Sequence, residues 1–172
     1  VGAVAVQASP KPSNRIDILN LIKKGQSPKK AITNCLNSDT DKDIRQIIAI
    51  NSSGCAHVFS GYKTINISDS IVGNNFAIAG NMLGSEEVVP EMEKSFQKNF
   101  DFNLPKRLLL ALKAGEKAGG DKRGRLSAAL FYSKPNHRIM VLRIDYSNNP
   151  LEDLTEALEL RYSEEYSNIS DL

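Results

Sequence analysis

The sequence predicts an α+β fold, with paired helices covering an antiparallel sheet or two stacked sheets. Three observations carry that prediction. Segments with strand character fall in adjacent blocks and do not alternate with helices. Two apolar runs flank Asn51-Ser52-Ser53-Gly54, a four-residue hairpin signal with Gly at its end. Helical periodicities come in neighbouring pairs with their own start and stop signals. The order reads β, αα, ββ(β), αα, ββ, α.

Val1 to Ala8 is β-branched and small, which predicts a buried strand, with Gly2 allowing close approach of a neighbour. Ser9 to Asn14 carries two prolines and reads as a loop, with Ser13 and Asn14 as ordinary loop residues. Ile16, Leu19 and Ile22, with Ile18 and Leu21 beside them, recur at helical spacing from Arg15 to Lys24, and Gly25 stops that helix. Ser27 caps a second helix with Pro28 in its first position, running to about Leu36. Asp39 to Asp43 is a charged turn, and Arg45–Ile50 and Cys55–Ser60 are the hairpin strands.

Tyr62 to Asn75 alternates weakly at Ile65, Ile67 and Ile71, which fits either a third strand or an irregular loop. Phe76 to Leu83 is a strand of small residues, as expected at a tightly packed centre. Ser85, followed by Glu86 and Glu87, opens the next helix. Pro90 leaves either a loose first turn or a start near Val89. Met92, Phe96 and Phe100 would line one face. Leu104 to Ala118 is the strongest helix, with Leu108, Leu109 and Leu112 on its apolar stripe and Gly119-Gly120 at its end. Leu126–Tyr132 and Arg138–Tyr146 are strands. Asn149, Pro150 and Glu152 spell a capping box for a last helix whose core face is Leu151, Leu154, Leu158 and Tyr162.

A chain of 172 residues is one domain by length, taken as residues 1–162 with a frayed tail over 163–172. It is long enough to bury roughly 70% of its unfolded surface. A hydrophobic share of 41% and a charged share of 24% are those of a soluble globular protein. The net charge of +2 argues against a nucleic-acid partner, which wants a far more basic face. No apolar run approaches the ~18 residues of a membrane span. Val1 to Ala8 lacks the basic region of a signal peptide. The chain opens on Val inside a strand, so an upstream piece is expected to be missing from it.

Cys35 and Cys55, the two cysteines, read as buried thiols of a reducing compartment, which places the protein in the cytoplasm. His57 and His137 have no partners at ligand spacing, so neither a metal nor another cofactor is expected.

Two strand ends carry candidate chemistry. The run Gly119-Gly120-Asp121-Lys122-Arg123-Gly124-Arg125 puts open backbone N–H groups beside cations. Arg123 and Arg125 would grip a carboxylate or phosphate, with Asp121 holding one of them. The competing reading is a helix cap with a solvated charge cluster. The glycines follow a helix and precede a strand, the reverse of a P-loop. At the other strand end, Asn81 would aim its amide at a developing oxyanion, with Gly80 leaving the backbone open to substrate. The competing reading there is a turn ahead of the Ser85 helix. The working idea is that the two strand ends line one site. Ser127 with His57 or His137 and an aspartate would make a Ser-His-Asp triad, but no nucleophile elbow surrounds any serine here.

The segments AVQA, GNMLGSEEVV, LLLALKAGEKAGGDKRGRLSAAL and LRIDYSNNPLEDLTEALEL together resemble the microbial family called domain of unknown function 1028. That family is grouped with the Ntn-hydrolase-like proteins. The resemblance covers almost the whole chain and implies a four-layer αββα sandwich, two antiparallel sheets between helix layers, with the family's first strands lying upstream of Val1. It implies an amide-bond hydrolase acting on a small peptide or amino-acid-like substrate. Asn81 and Asp121 would be catalytic, and Gly80, Arg123 and Arg125 would bind substrate. A non-catalytic module binding a small anion on the same fold is the alternative. Ntn hydrolases use an N-terminal Thr, Ser or Cys, and Val1 has no such side chain, so the nucleophile is not expected in this chain. Members of the family carry a Cys, a Trp and a Gly-His where this chain reads YKTINISDS. Because many Ntn proteins are oligomers, a homo-oligomer is expected.

Overall fold

The computed structural model describes residues 1–64 and 67–167, the side chains of 164–167 excepted. Its fold is α+β, helices with antiparallel sheets. The chain forms two compact units, Val1–Pro90 and Glu91–Leu172.

In the first unit, β1 (Gly2–Ala8), β2 (Arg45–Asn51) and β3 (Ala56–Ser60) form one antiparallel sheet in the order β1-β2-β3. Val4 lies opposite Ala49, Gln7 opposite Gln46, and Gln46 opposite Ser60. Side chains alternate across a strand, and β2 uses both faces. Ile47 and Ala49 pack on α1 (Pro12–Lys23) and α2 (Pro28–Leu36), sharing a core with Ile18, Ile22, Ala31, Ile32 and Leu36. The opposite face carries Gln46 and meets the hairpin of β4 (Ile67–Gly73) and β5 (Phe76–Leu83). The first unit is therefore three layers, helices, sheet and hairpin.

Several expectations change here. β1 is half exposed, not buried, because it is the outer strand of the sheet. The segment read as a loop up to Asn14 is helical from Pro12: proline's fixed φ suits the first helical position, so one of the two prolines starts the helix. Asn14 is consequently buried and Ile16 is exposed. Gly25, at φ +89°, ends the helix as expected. Ser27 accepts from the Lys30 N–H at 3.3 Å, the predicted cap. The open choice over 62–75 resolves to strand β4, turned into β5 at Asn74-Asn75 with Asn75 at φ +64°. Ile65 lies outside the described residues. Cys55 is exposed and Cys35 half buried, so neither is the buried thiol expected.

Helix α3 (Val88–Lys98) runs from the end of the first unit into the second. It starts next to Val89, as the Pro90 argument allowed. It ends before Phe100, which is 69% exposed and does not line its face. In the second unit, α4 (Leu104–Lys117) and α5 (Pro150–Ser167) pack on the antiparallel hairpin of β6 (Ala128–Tyr132) and β7 (Met140–Ile144). The core is Leu109, Leu130, Met140, Leu151, Leu154 and Leu158. Arg107 lies over the Phe96 ring at 4.0 Å and donates to the Phe96 carbonyl at 3.1 Å, tying α4 to α3.

The strand expected from Leu126 begins at Ala128, which leaves Leu126 and Ser127 exposed. The capping box at α5 is replaced: Ser147 Oγ, not Glu152, accepts from the Asn149 N–H at 2.9 Å. α5 is helical through Ser167, and residues 168–172 of the expected tail lie outside the described residues.

Candidate functional site

Among the described residues four polar or charged ones are buried, Asn14, Asp39, Arg45 and Gln46, and all belong to the first unit. A buried polar group costs free energy unless it is hydrogen-bonded, so their partners show what the interior is built to hold. Arg45 and Gln46 are consecutive in β2 and point to opposite faces of the sheet.

Gln46, with no exposed surface, sits between sheet and hairpin. Its Oε1 accepts from Gln7 Nε2 at 2.6 Å and from Asn81 Nδ2 at 3.1 Å. Its Nε2 lies 3.1 Å from the Gly80 carbonyl, 2.9 Å from Ser60 Oγ and 3.2 Å from Ser68 Oγ. Gln7 Nε2 also donates to the Ala79 carbonyl at 3.1 Å. Three carboxamides and two hydroxyls thus meet without a charged side chain among them.

The backbone around this centre is irregular. Ile67 pairs with Leu83 but Asp69 pairs with Gly80, so β5 carries one extra residue, a bulge at Asn81-Met82. Met82 and Ala8 stand at φ +54° and +66°. They adjoin Asn81 and Gln7, the two donors to Gln46 Oε1. Left-handed backbone costs a non-glycine residue about 1–3 kcal/mol and persists only where the surroundings enforce it. Gly80 is not open space: a Cβ there would come 2.6 Å from Leu83 Cδ2.

On the helix face, Asp39 accepts from Arg45 Nε at 2.6 Å and Nη2 at 3.0 Å, from Asn14 Nδ2 at 3.0 Å and from the Asp41 N–H at 3.1 Å. The Arg45 hydrogen bonds, with smaller help from Asn14 and the Asp41 N–H, hold its carboxyl far below the usual range against the opposing effect of burial. The same pair pushes Arg45 up. Arg45 Nη1 also donates to the Ser9 carbonyl. Elsewhere on this face, burial and then Lys29 lower His57.

The acid–arginine turn lies in the second unit. Gly119, Gly120 and Gly124 have φ of +131°, +55° and +94°, conformations that suit glycine. Asp121 Oδ1 accepts from both the backbone N–H and Nε of Arg123 at 2.9 Å, and Oδ2 from Nη2 at 2.6 Å. This bidentate pair lowers the Asp121 carboxyl. The Arg123 side chain is 63% exposed. Arg125 is paired elsewhere, with Glu116 in an ion pair lacking hydrogen-bond geometry and with Asn149 Oδ1 at 3.2 Å. Asp121 and Arg123 are therefore together, Arg125 ties the turn to α4 and the start of α5, and Gly80 and Asn81 belong to the Gln46 centre.

Gln7, Gln46, Ser60 and Ser68 escaped the sequence reading. Gln46 left one usable signal, a lone amide at the start of the apolar run Ile47–Ile50.

A family described as "Family of unknown function (DUF1028)" matches residues 1–154. The chain belongs to the DUF1028 family. The crystal structure of protein SPO2555 from Silicibacter pomeroyi, also assigned to DUF1028, superposes with a TM-score of 0.85 at 32% identity, covering 91% of this chain and 68% of that one. No curated protein matches the chain significantly. The DUF1028 match spans the Gln46 centre and the acid–arginine turn alike. Among the described residues no helix is long and apolar enough to cross a membrane.

Proposed function

We propose that this DUF1028 chain is an Ntn-hydrolase-like domain that hydrolyses an amide bond in a small peptide or amino-acid-like substrate, with Asn81 as oxyanion donor. The observation that carries the reading is the carboxamide centre at the Asn81-Met82 bulge. An amide has two N–H groups, and the bond to Gln46 fixes the Asn81 plane while using one of them. A pre-aimed neutral donor suits negative charge developing on a carbonyl oxygen, and removing such a donor typically costs ~10²–10³ in rate. β-bulges recur next to active sites because they re-aim a side chain. A homo-oligomeric state and a cytoplasmic location belong to the same proposal. Its test is to express the full-length gene product, map the mature N-terminus and screen amide substrates. Turnover from a mature Thr, Ser or Cys terminus supports the reading, and an inactive product with another terminus refutes it.

A second reading has its own observation, the exposed Arg123 held by Asp121 in a glycine-rich turn. There the chain would be a non-catalytic module binding a small anion, with Arg123 exchanging Asp121 for the ligand. Thermal stabilisation by small carboxylates or phosphates that Arg123→Ala abolishes would favour it. Stabilisation that survives the substitution excludes the turn.

A further inference from the structure

We infer that Arg45, braced by Asp39 and Asn14, is a positioning residue for the carboxamide centre on the other face of the sheet. The inference rests on reading that centre as the working site. Arg45 and Gln46 are neighbours in β2, and across the ladder Ala8 pairs with Arg45 and Gln7 with Gln46. Whatever holds Ala8 therefore sets the backbone from which Gln7 reaches Gln46 Oε1.

Ala8 sits at φ +66°, a conformation that alanine resists because its Cβ crowds the following carbonyl oxygen. Two contacts immediately beyond it enforce the turn. The Ser9 N–H donates to the Ile44 carbonyl at 3.2 Å, and the Ser9 carbonyl accepts from Arg45 Nη1. Arg45 can aim Nη1 there because Asp39 holds its Nε and Nη2, leaving the fork one orientation. Asn14 and the Asp41 N–H in turn fix the Asp39 carboxylate. The chain of causes runs from α1 and the turn after α2, through Arg45, to the end of β1 and so to Gln7.

The test reads side-chain amide signals of Gln7, Gln46 and Asn81 by NMR in the 15N-labelled chain, with Asn103, a helix cap in the second unit, as reference. Asp39→Asn removes the charge that orients Arg45 and touches none of the three amides. The expected result is displacement of the Gln7 and Gln46 signals with Asn103 unmoved. Adding Ala8→Gly, which accepts the left-handed turn unaided, should return Gln7 towards its original position. If Asp39→Asn does not fold, Arg45→Lys keeps the charge, loses the Nη1 donor and should give the same pattern. A pair that served stability alone would lower the melting temperature, leave the Gln7 and Gln46 signals in place in the folded protein and gain no rescue from Ala8→Gly. That result overturns the inference. The signals need no substrate, so an inactive wild-type product refutes the functional reading alone, and unmoved signals in an active one refute the positioning role alone.

Discussion

The two compact units solve the placement of polar groups in opposite ways. In Val1–Pro90 the sheet carries a buried ion pair on one face and a buried carboxamide centre on the other. In Glu91–Leu172 the described core is built of Leu109, Leu130, Met140, Leu151, Leu154 and Leu158, and the acid–arginine turn is solvated. A charged pair in a solvated turn contributes little, whereas a buried one is expensive to break. The difference teaches that density of charge in a sequence is a poor guide to where polar chemistry is enforced.

Substitutions can break that contrast, and the largest effect is expected at Asp39. Asp39→Ala leaves the Arg45 guanidinium buried without its partner and should cost about 3–5 kcal/mol. Hydrogen exchange resolved by unit should show that loss in the first unit, and a loss below about 1 kcal/mol would place Arg45 in contact with water. Leu154→Ala, at a fully buried position, should cost about 2–5 kcal/mol and be read out in the second unit. Gln46→Leu keeps the volume but strands the Gln7 and Asn81 amides and the Gly80 carbonyl, for about 1–3 kcal/mol. At the bottom of the scale, Arg123→Ala should leave the denaturation midpoint unchanged, and a clear shift there would put the acid–arginine turn among the enforced sites.

Acid titration sharpens the same contrast. The Asp39 carboxyl is lowered on folding, so its contribution is fully present above its unfolded pKa of about 4. The contribution is lost as the pH falls towards the depressed folded value. Stability measured from pH 6 to 2 should fall steeply in the wild type and more gently in Asp39→Asn.

The sequence showed elements wherever one short signal fixes the backbone. Ser27-Pro28 starts α2, Gly25 ends α1 and Asn51–Gly54 closes the β2–β3 hairpin, each by local chemistry. Phe76–Leu83 was legible to the residue. Legibility failed where partners are distant. Gln46 meets Gln7, 39 residues away, and Asn81, 35 residues away, so no window along the chain contains the centre. Asn14 was hidden because two prolines suggested a loop, whereas Pro12 is a helix start. Asp39 sat in what looked like a charged turn, and only its contacts with Arg45 and Asn14 show that it is interior. The candidate site was half visible: Gly80 and Asn81 came from a strand end, while the residues that orient them did not.

The most direct measurement compares amide-hydrolysis rates of the full-length product carrying Asn81→Ala with the unsubstituted protein at equal melting temperature. A fall of about 10²–10³-fold is predicted for a lost oxyanion donor. An unchanged rate would contradict the assignment of the Gln7–Gln46–Asn81 centre as the place where the chemistry happens.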